Sequence, residues 1–122
     1  MPIGRLHHLI VDCPDPAEAA RFWSAVLGDP ITYADADFVV VAKSDTQSGV
    51  AFQRADGAAP TWPDPRVPQQ MHLDVMVDDQ EAAGQAVLRL GARRLAGEHV
   101  YADPAGHPFC LIRRPGWAPP VA

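Results

Sequence analysis

From residue 6 the chain alternates with the two-residue period of a strand. Leu6, His8, Ile10 and Asp12 fall on one side of an extended segment over 6–12, and His7, Leu9 and Val11 fall on the other. The period then lengthens: Phe22, Trp23, Val26 and Leu27 make the apolar stripe of a helix. Asp15 is its expected N-cap, with Pro16 at the first helical position and Glu18 three residues on, and Gly28 supplies the left-handed residue that ends it. Three short apolar runs follow, at 31–34, 38–43 and 49–54. They are divided by Asp35-Ala36-Asp37 and by a polar stretch over 44–48, which predicts three strands and two turns.

The second half repeats the first. His8-Leu9-Ile10-Val11 returns as His72-Leu73-Asp74-Val75, and Asp15, Glu18, Ala19, Ala20, Leu27 and Gly28 return as Asp78, Glu81, Ala82, Ala83, Leu90 and Gly91. The alternation now puts His72, Asp74 and Met76 on one face and leaves Leu73, Val75 and Val77 as an apolar face to pack under a helix. That helix is expected to start at Asp78, with Ala82, Ala83, Ala86, Val87 and Leu90 as its stripe and Gly91 at its end. Strands over 93–95, 99–102 and 109–113 complete the copy, the last preceded by the tight turn Asp103-Pro104-Ala105-Gly106. A repeat fixes architecture more firmly than local propensity does. It predicts an α+β chain of two tandem βαβββ modules, the first over about 5–54 and the second over about 71–114. A Pro-rich linker over 55–70 carries Trp62, a Pro-rich tail spans 115–122, and the whole of 1–122 reads as a single domain.

Composition narrows the partners. With 122 residues, 48% apolar and 20% charged, the chain has material for a core without disulfides or a structural metal. A net charge of -5 with scattered basic residues offers no stripe for phosphates, so nucleic acid is not an expected partner. Cys13 and Cys110 are too far apart in sequence for a disulfide framework or a C-x-x-C zinc knuckle, which fits a reducing cytoplasm. No apolar run approaches the length of a membrane span, the beginning lacks a secretory signal pattern, and a cytoplasmic protein with no membrane partner is expected.

The repeat resembles the vicinal oxygen chelate superfamily, which includes glyoxalase I, the bleomycin and fosfomycin resistance proteins and the extradiol dioxygenases. The segments that carry the resemblance are His8-Leu9-Ile10-Val11, residues 22–28, His72-Leu73-Asp74-Val75, Leu90-Gly91-Ala92 and residues 103–110. The last block, followed by Leu111, is most similar to small actinobacterial glyoxalase-like proteins. The resemblance implies two cupped mixed sheets with a divalent metal where the cups meet. The metal is held by the His that opens each half and by a carboxylate on the last strand of each half. His8 and His72 match the first pair. Cys110 stands where the second carboxylate belongs, and Ala51, or Gln53 two residues on, stands where the first belongs.

The resemblance therefore implies a pocket for a small organic molecule, lined by His8, Ile10, Gln53, Trp62, His72, Asp74, Met76 and Cys110, in a homodimer. Without the carboxylates, two imidazoles make a weak site, so a tightly bound metal is not expected. A divalent ion such as zinc, nickel, manganese or iron on His8 and His72 is the alternative, in a lyase, isomerase or dioxygenase with Asp74 moving a proton. Bland readings stand beside these. Cys110 reads as a small core residue, Asp74 as an anchor for His72 or an arginine, and Trp23 as core. Trp117 lies in the tail, Tyr33 packs on a strand, His7 points to the helix side or a dimer contact, and His99 and His107 are exposed.

Overall fold

A computed structural model describes residues 1–68 and 71–121, so the end of the predicted linker, 69–70, and the last residue of the tail lie outside the described residues. The chain divides into two compact units, Met1–Ala58 and Ala59–Ala122. The first contains β1 (Leu9–Cys13), α1 (Pro16–Leu27), β2 (Ile31–Ala34), β3 (Phe38–Val41) and β4 (Val50–Arg54). The second contains β5 (Leu73–Val77), α2 (Gln80–Arg89), β6 (Arg93–Arg94), β7 (Val100–Ala102) and β8 (Pro108–Arg113). Each is a βαβββ module with one four-stranded mixed sheet, ordered β1-β4-β3-β2 in the first and β5-β8-β7-β6 in the second. In both, the first and last strands pair in parallel and the other pairs are antiparallel.

In the first module α1 packs on β3 and β4. Phe22 and Trp23 meet edge to face with ring centroids 5.3 Å apart. Both are buried, as are Val39, Val41, Phe52 and Cys13 of the strands. Each such aromatic side chain contributes about 1.5–3 kcal/mol by leaving water. The helix opens and closes as its sequence predicts: the Asp15 carboxylate accepts from the Glu18 N–H, and Gly28 sits at φ 72.

In the second module α2 packs on β8. Tyr101 and Phe109 are buried side by side, centroids 6.0 Å apart, and the Arg94 guanidinium lies 5.1 Å over the Tyr101 ring. The predicted cap is displaced by one residue. Asp79, not Asp78, accepts from the N–H groups of Glu81 and Ala82. Asp78 instead takes the Arg114 Nε at 2.6 Å and the Val121 N–H, so two adjacent aspartates divide a helix cap and a tie to the tail. The first strand also starts later than the alternation suggested, at Leu9, because the chain before it turns its polar groups to the 48–49 corner. Ser48 donates to the Leu6 carbonyl, and Gly49 donates to His8.

Candidate functional site

The register between strands defines what each sheet presents on the face away from its helix. In the first module Ile10 pairs with Ala51 and Ala51 with Val40, giving an apolar row across three strands. Ala51 is completely buried in a small cluster with Val40 and Ala42, against which Phe38 packs. Ile10 keeps 44% of its surface exposed and lies over a hollow of about 540 Å³ walled by Tyr33, Phe38 and Val40. The hollow is rimmed by His7, His8, Thr32 and the 45–48 loop, and its volume is in the range of small-molecule sites. The Tyr33 hydroxyl donates to Asp35 at 2.7 Å. That bond raises the Tyr33 pKa and lowers that of Asp35, so the phenol is oriented and neutral.

His8 belongs to this hollow through a hydrogen bond of particular polarity. Its Nδ1 accepts from the Gly49 N–H at 3.0 Å, which places the ring proton on Nε2. Gly49 is required for that approach, since a Cβ there would run into the Val41 carbonyl and Ala42. A histidine that ligates a metal donates its second N–H to an acceptor. His8 does the reverse, and Ala51 has no donor atom. Ile10, Ala51 and Val40, the row beside His8, carry no ligand atom for a metal. His7 lies stacked on His8 with centroids 3.8 Å apart, in the hollow and not on the helix side. It precedes β1, where strand alternation has no hold.

The equivalent row of the second module is Asp74, Cys110 and Val100. This equivalence assigns Ala51, and not Gln53, to the position of Cys110, because Gln53 pairs with Asp12 and Phe38 one step along. Around the row the sequence has placed polar donors. His72 Nε2 stands 3.3 Å from Asp74 Oδ1, and donor atoms of His72, Asp74 and Cys110 all lie within 4.8 Å of one another. Partial burial, then the neighbouring Asp74 charge and its hydrogen bond, push the Cys110 thiol pKa up and keep it protonated. Trp62 reaches this face from the linker, donating its indole N–H to the Ala96 carbonyl at 2.9 Å and meeting the His72 ring edge-on at 6.2 Å.

Of the residues singled out in the sequence, His8 and Ile10 thus share the hollow of the first module, while Trp62, His72, Asp74 and Cys110 gather in the second. Met76 continues the Asp74 face, paired with Ile112, and Gln53 is exposed at the end of β4, outside the hollow. Sequence reasoning left out Tyr33, Phe38 and the 45–48 loop as lining groups. The signal for Tyr33 was the acidic residue two positions on, a partner for a hydroxyl at a strand end. His107 is half-buried and not exposed, its Nδ1 3.3 Å from the buried Asp103 carboxylate that also accepts from the Ala105 and His107 N–H groups. That carboxylate organises the turn before β8.

Comparison with known proteins agrees with this architecture. Residues 8–112 match the model of the glyoxalase-like domain. Among solved structures, a possible glyoxalase from Bacillus cereus is 14% identical, with a TM-score of 0.64 over 91% of this chain and 99% of that one. The fosfomycin resistance protein of Mesorhizobium loti is 19% identical, with a TM-score of 0.62 over 96% and 97%. A bleomycin-binding protein of Streptomyces verticillus, solved with copper(II)-bleomycin, is 17% identical, with a TM-score of 0.54 over 93% and 100%. No curated protein matches by sequence. Among the described residues, no helix is long and apolar enough to cross a membrane. Two βαβββ modules of matching topology and a family match across nearly the whole chain lead to one conclusion: this protein belongs to the glyoxalase-like domain family.

Proposed function

We propose that the chain binds a small, largely apolar or aromatic organic molecule through the face of its first module, with the family's metal site degenerate. The observation that carries this reading is Ala51. Where the resemblance implies a metal-binding carboxylate the chain has a fully buried methyl group in an apolar cluster, beside a hollow walled by Ile10, Tyr33, Phe38 and Val40. Apolar walls with a few oriented polar groups are the usual make-up of an organic-ligand site, and the neutral Tyr33 hydroxyl and the His8 Nε2–H supply those groups here. The bleomycin-binding protein of similar fold gives precedent for an organic ligand on this fold. The reading extends to a cytoplasmic homodimer of the actinobacterial branch, the branch resting on the block over 103–110 with Leu111 after it.

The test is a thermal-shift screen of the full chain against small aromatic and drug-like compounds, with and without a chelator, followed by titration calorimetry. A compound held at about one hundred times its Kd stabilises by about 2.7 kcal/mol, a rise in Tm of about 10 °C for a chain of this size. The shift should persist in chelator and shrink in Ile10→Ser and Tyr33→Ala. A screen without shifts, or shifts that vanish with chelator, would overturn the reading and favour a metal-dependent lyase, isomerase or dioxygenase.

A further inference from the structure

We propose that His72, Asp74 and Cys110 form a site for one borderline-soft divalent cation of the zinc class, held by the second module alone. Asp74 and Cys110 are register partners on the parallel strands β5 and β8, and His72 lies two residues before Asp74 on the same side. The pleat of the sheet thus brings Asp74 and Cys110 together, and His72, just before β5, is placed by its 3.3 Å approach to Asp74. β8 is hydrogen-bonded on both sides, to β5 and β7, which gives the cysteine a fixed base.

The distances suit the ion. A tetrahedral zinc with bonds of about 2.0–2.3 Å sets its donors roughly 3.3–3.7 Å apart. His72 Nε2 and Asp74 Oδ1 are already 3.3 Å apart, and the widest separation in the cluster is no more than 4.8 Å. Side-chain rotation of about 1 Å closes the set. The donor chemistry selects the metal: a thiolate and an imidazole reject magnesium and calcium and favour zinc, with cobalt and nickel as close substitutes. A carboxylate and a thiolate together cancel the charge of a divalent ion, which a pair of neutral histidines does not.

Three protein donors leave one position open, the pattern of zinc sites that bind water or a substrate atom. His72 and Asp74 are 42% and 52% exposed, so that position is reachable, and Trp62 forms an apolar wall beside it. This set uses two of the positions that the resemblance gives to a metal, those of His72 and Cys110, and differs in its donors. Asp74 supplies the carboxylate from the first strand of the module where Cys110 has replaced one on the last, and neither His8 nor Ala51 takes part.

The experiment is a cobalt(II) titration of the untagged full chain under reducing conditions, read by absorbance and followed by zinc competition. The expected result is one equivalent bound, with a thiolate-to-cobalt charge-transfer band and the visible bands of a tetrahedral ion, all displaced by zinc. Cys110→Ala should abolish the charge-transfer band, with Cys110→Ser as the isosteric variant if the alanine form misfolds. Asp74→Asn should weaken binding at least tenfold, and His8→Ala should leave it within about threefold. Folded wild type that shows no band would overturn the proposal, as would a band that survives in the Cys110 variants or an equal loss of affinity in His8→Ala. The proposal is separate from the organic-ligand reading: a chelator-resistant thermal shift without cobalt uptake removes this one and keeps that one.

Discussion

The two sheets share strand order and pairing direction, and they differ most in the chemistry of one row. Across β1, β4 and β3 the first sheet sets Ile10, Ala51 and Val40, whereas across β5, β8 and β7 the second sets Asp74, Cys110 and Val100. The preceding histidines diverge in the same sense, His8 accepting from a backbone N–H and His72 facing a carboxylate. Backbone geometry is thus common property, and chemistry is assigned by two side chains per module. A face with a buried methyl at its centre suits carbon, and a face with three convergent donors suits an ion.

The sharpest way to break this comparison is to put a carboxylate at the centre of each row. Ala51→Glu forces a charged, longer side chain into a fully buried position among Val40, Ala42 and Phe38. Overpacking and the desolvation of a carboxylate together should cost at least about 3 kcal/mol in urea unfolding. Cys110→Glu stands at the equivalent place on a half-buried face and reaches water past Asp74, so its cost should be near ~1 kcal/mol even with like-charge repulsion. Equal losses would show that the two rows do not differ in burial as described.

The opposite faces of the sheets carry a second contrast, between helix and sheet. Five residues after its cap, α1 has the buried Ala20 and α2 has Gly84. The strand position next in line is Val41 in the first module and Tyr101 in the second. A Cβ on Gly84 would run into the Tyr101 hydroxyl, so a larger ring under α2 has been matched by a smaller residue on it. Gly84→Ala should therefore destabilise by about 1–3 kcal/mol, although the same change in an unobstructed helix stabilises it. Tyr101→Phe in the Gly84→Ala background should recover most of the loss. A neutral Gly84→Ala would rule the packing out.

A smaller effect separates two neighbours that look alike in sequence. Asp79→Ala removes the cap of α2 and should cost about 1 kcal/mol, while Asp78→Ala releases the ties to the half-buried Arg114 and to the Val121 N–H at a solvent-facing carboxylate and should cost less. Chemical denaturation of both variants ranks them, and the reverse order would return the cap to Asp78.

That pair also shows where sequence stops informing. The repeat, the cap at Asp15, the closing Gly28 and most strand boundaries were readable because they depend on neighbours a few residues away. The choice between Asp78 and Asp79 depends on Arg114 and Val121, far along the chain, and no local rule contains them. His7 was misplaced for a related reason: alternation was extended through residues that precede β1. The candidate site was readable in part. His72 and Asp74 share a face by parity, and Cys110 follows from pairing the first and last strands of a module. The contact of Trp62 with His72 depends on the path of a Pro-rich segment, and the acceptor role of His8 depends on a backbone N–H that sequence does not orient.

The smallest effect tests the polar row itself, without any metal. Cys110 sits above the ordinary thiol pKa of 9.0, first through burial and then through the charge and hydrogen bond of Asp74. The thiolate is the reactive form, so alkylation of the native chain in chelator at pH 8 should be slow and should accelerate as pH rises toward and past 9. Cys13, buried in the helix-facing core, should stay silent without unfolding and leave Cys110 as the reporting thiol. Asp74→Asn removes a negative charge that opposes ionisation, which lowers the pKa and speeds alkylation at pH 8. Because burial is the larger cause and persists in the variant, the gain should be a few-fold and not orders of magnitude. His8→Ala, in the other module, should leave the rate where it was. An unchanged or slower rate in Asp74→Asn would mean that the carboxylate and the thiol do not face each other, and the distinction between the two rows would then rest on Ala51 alone.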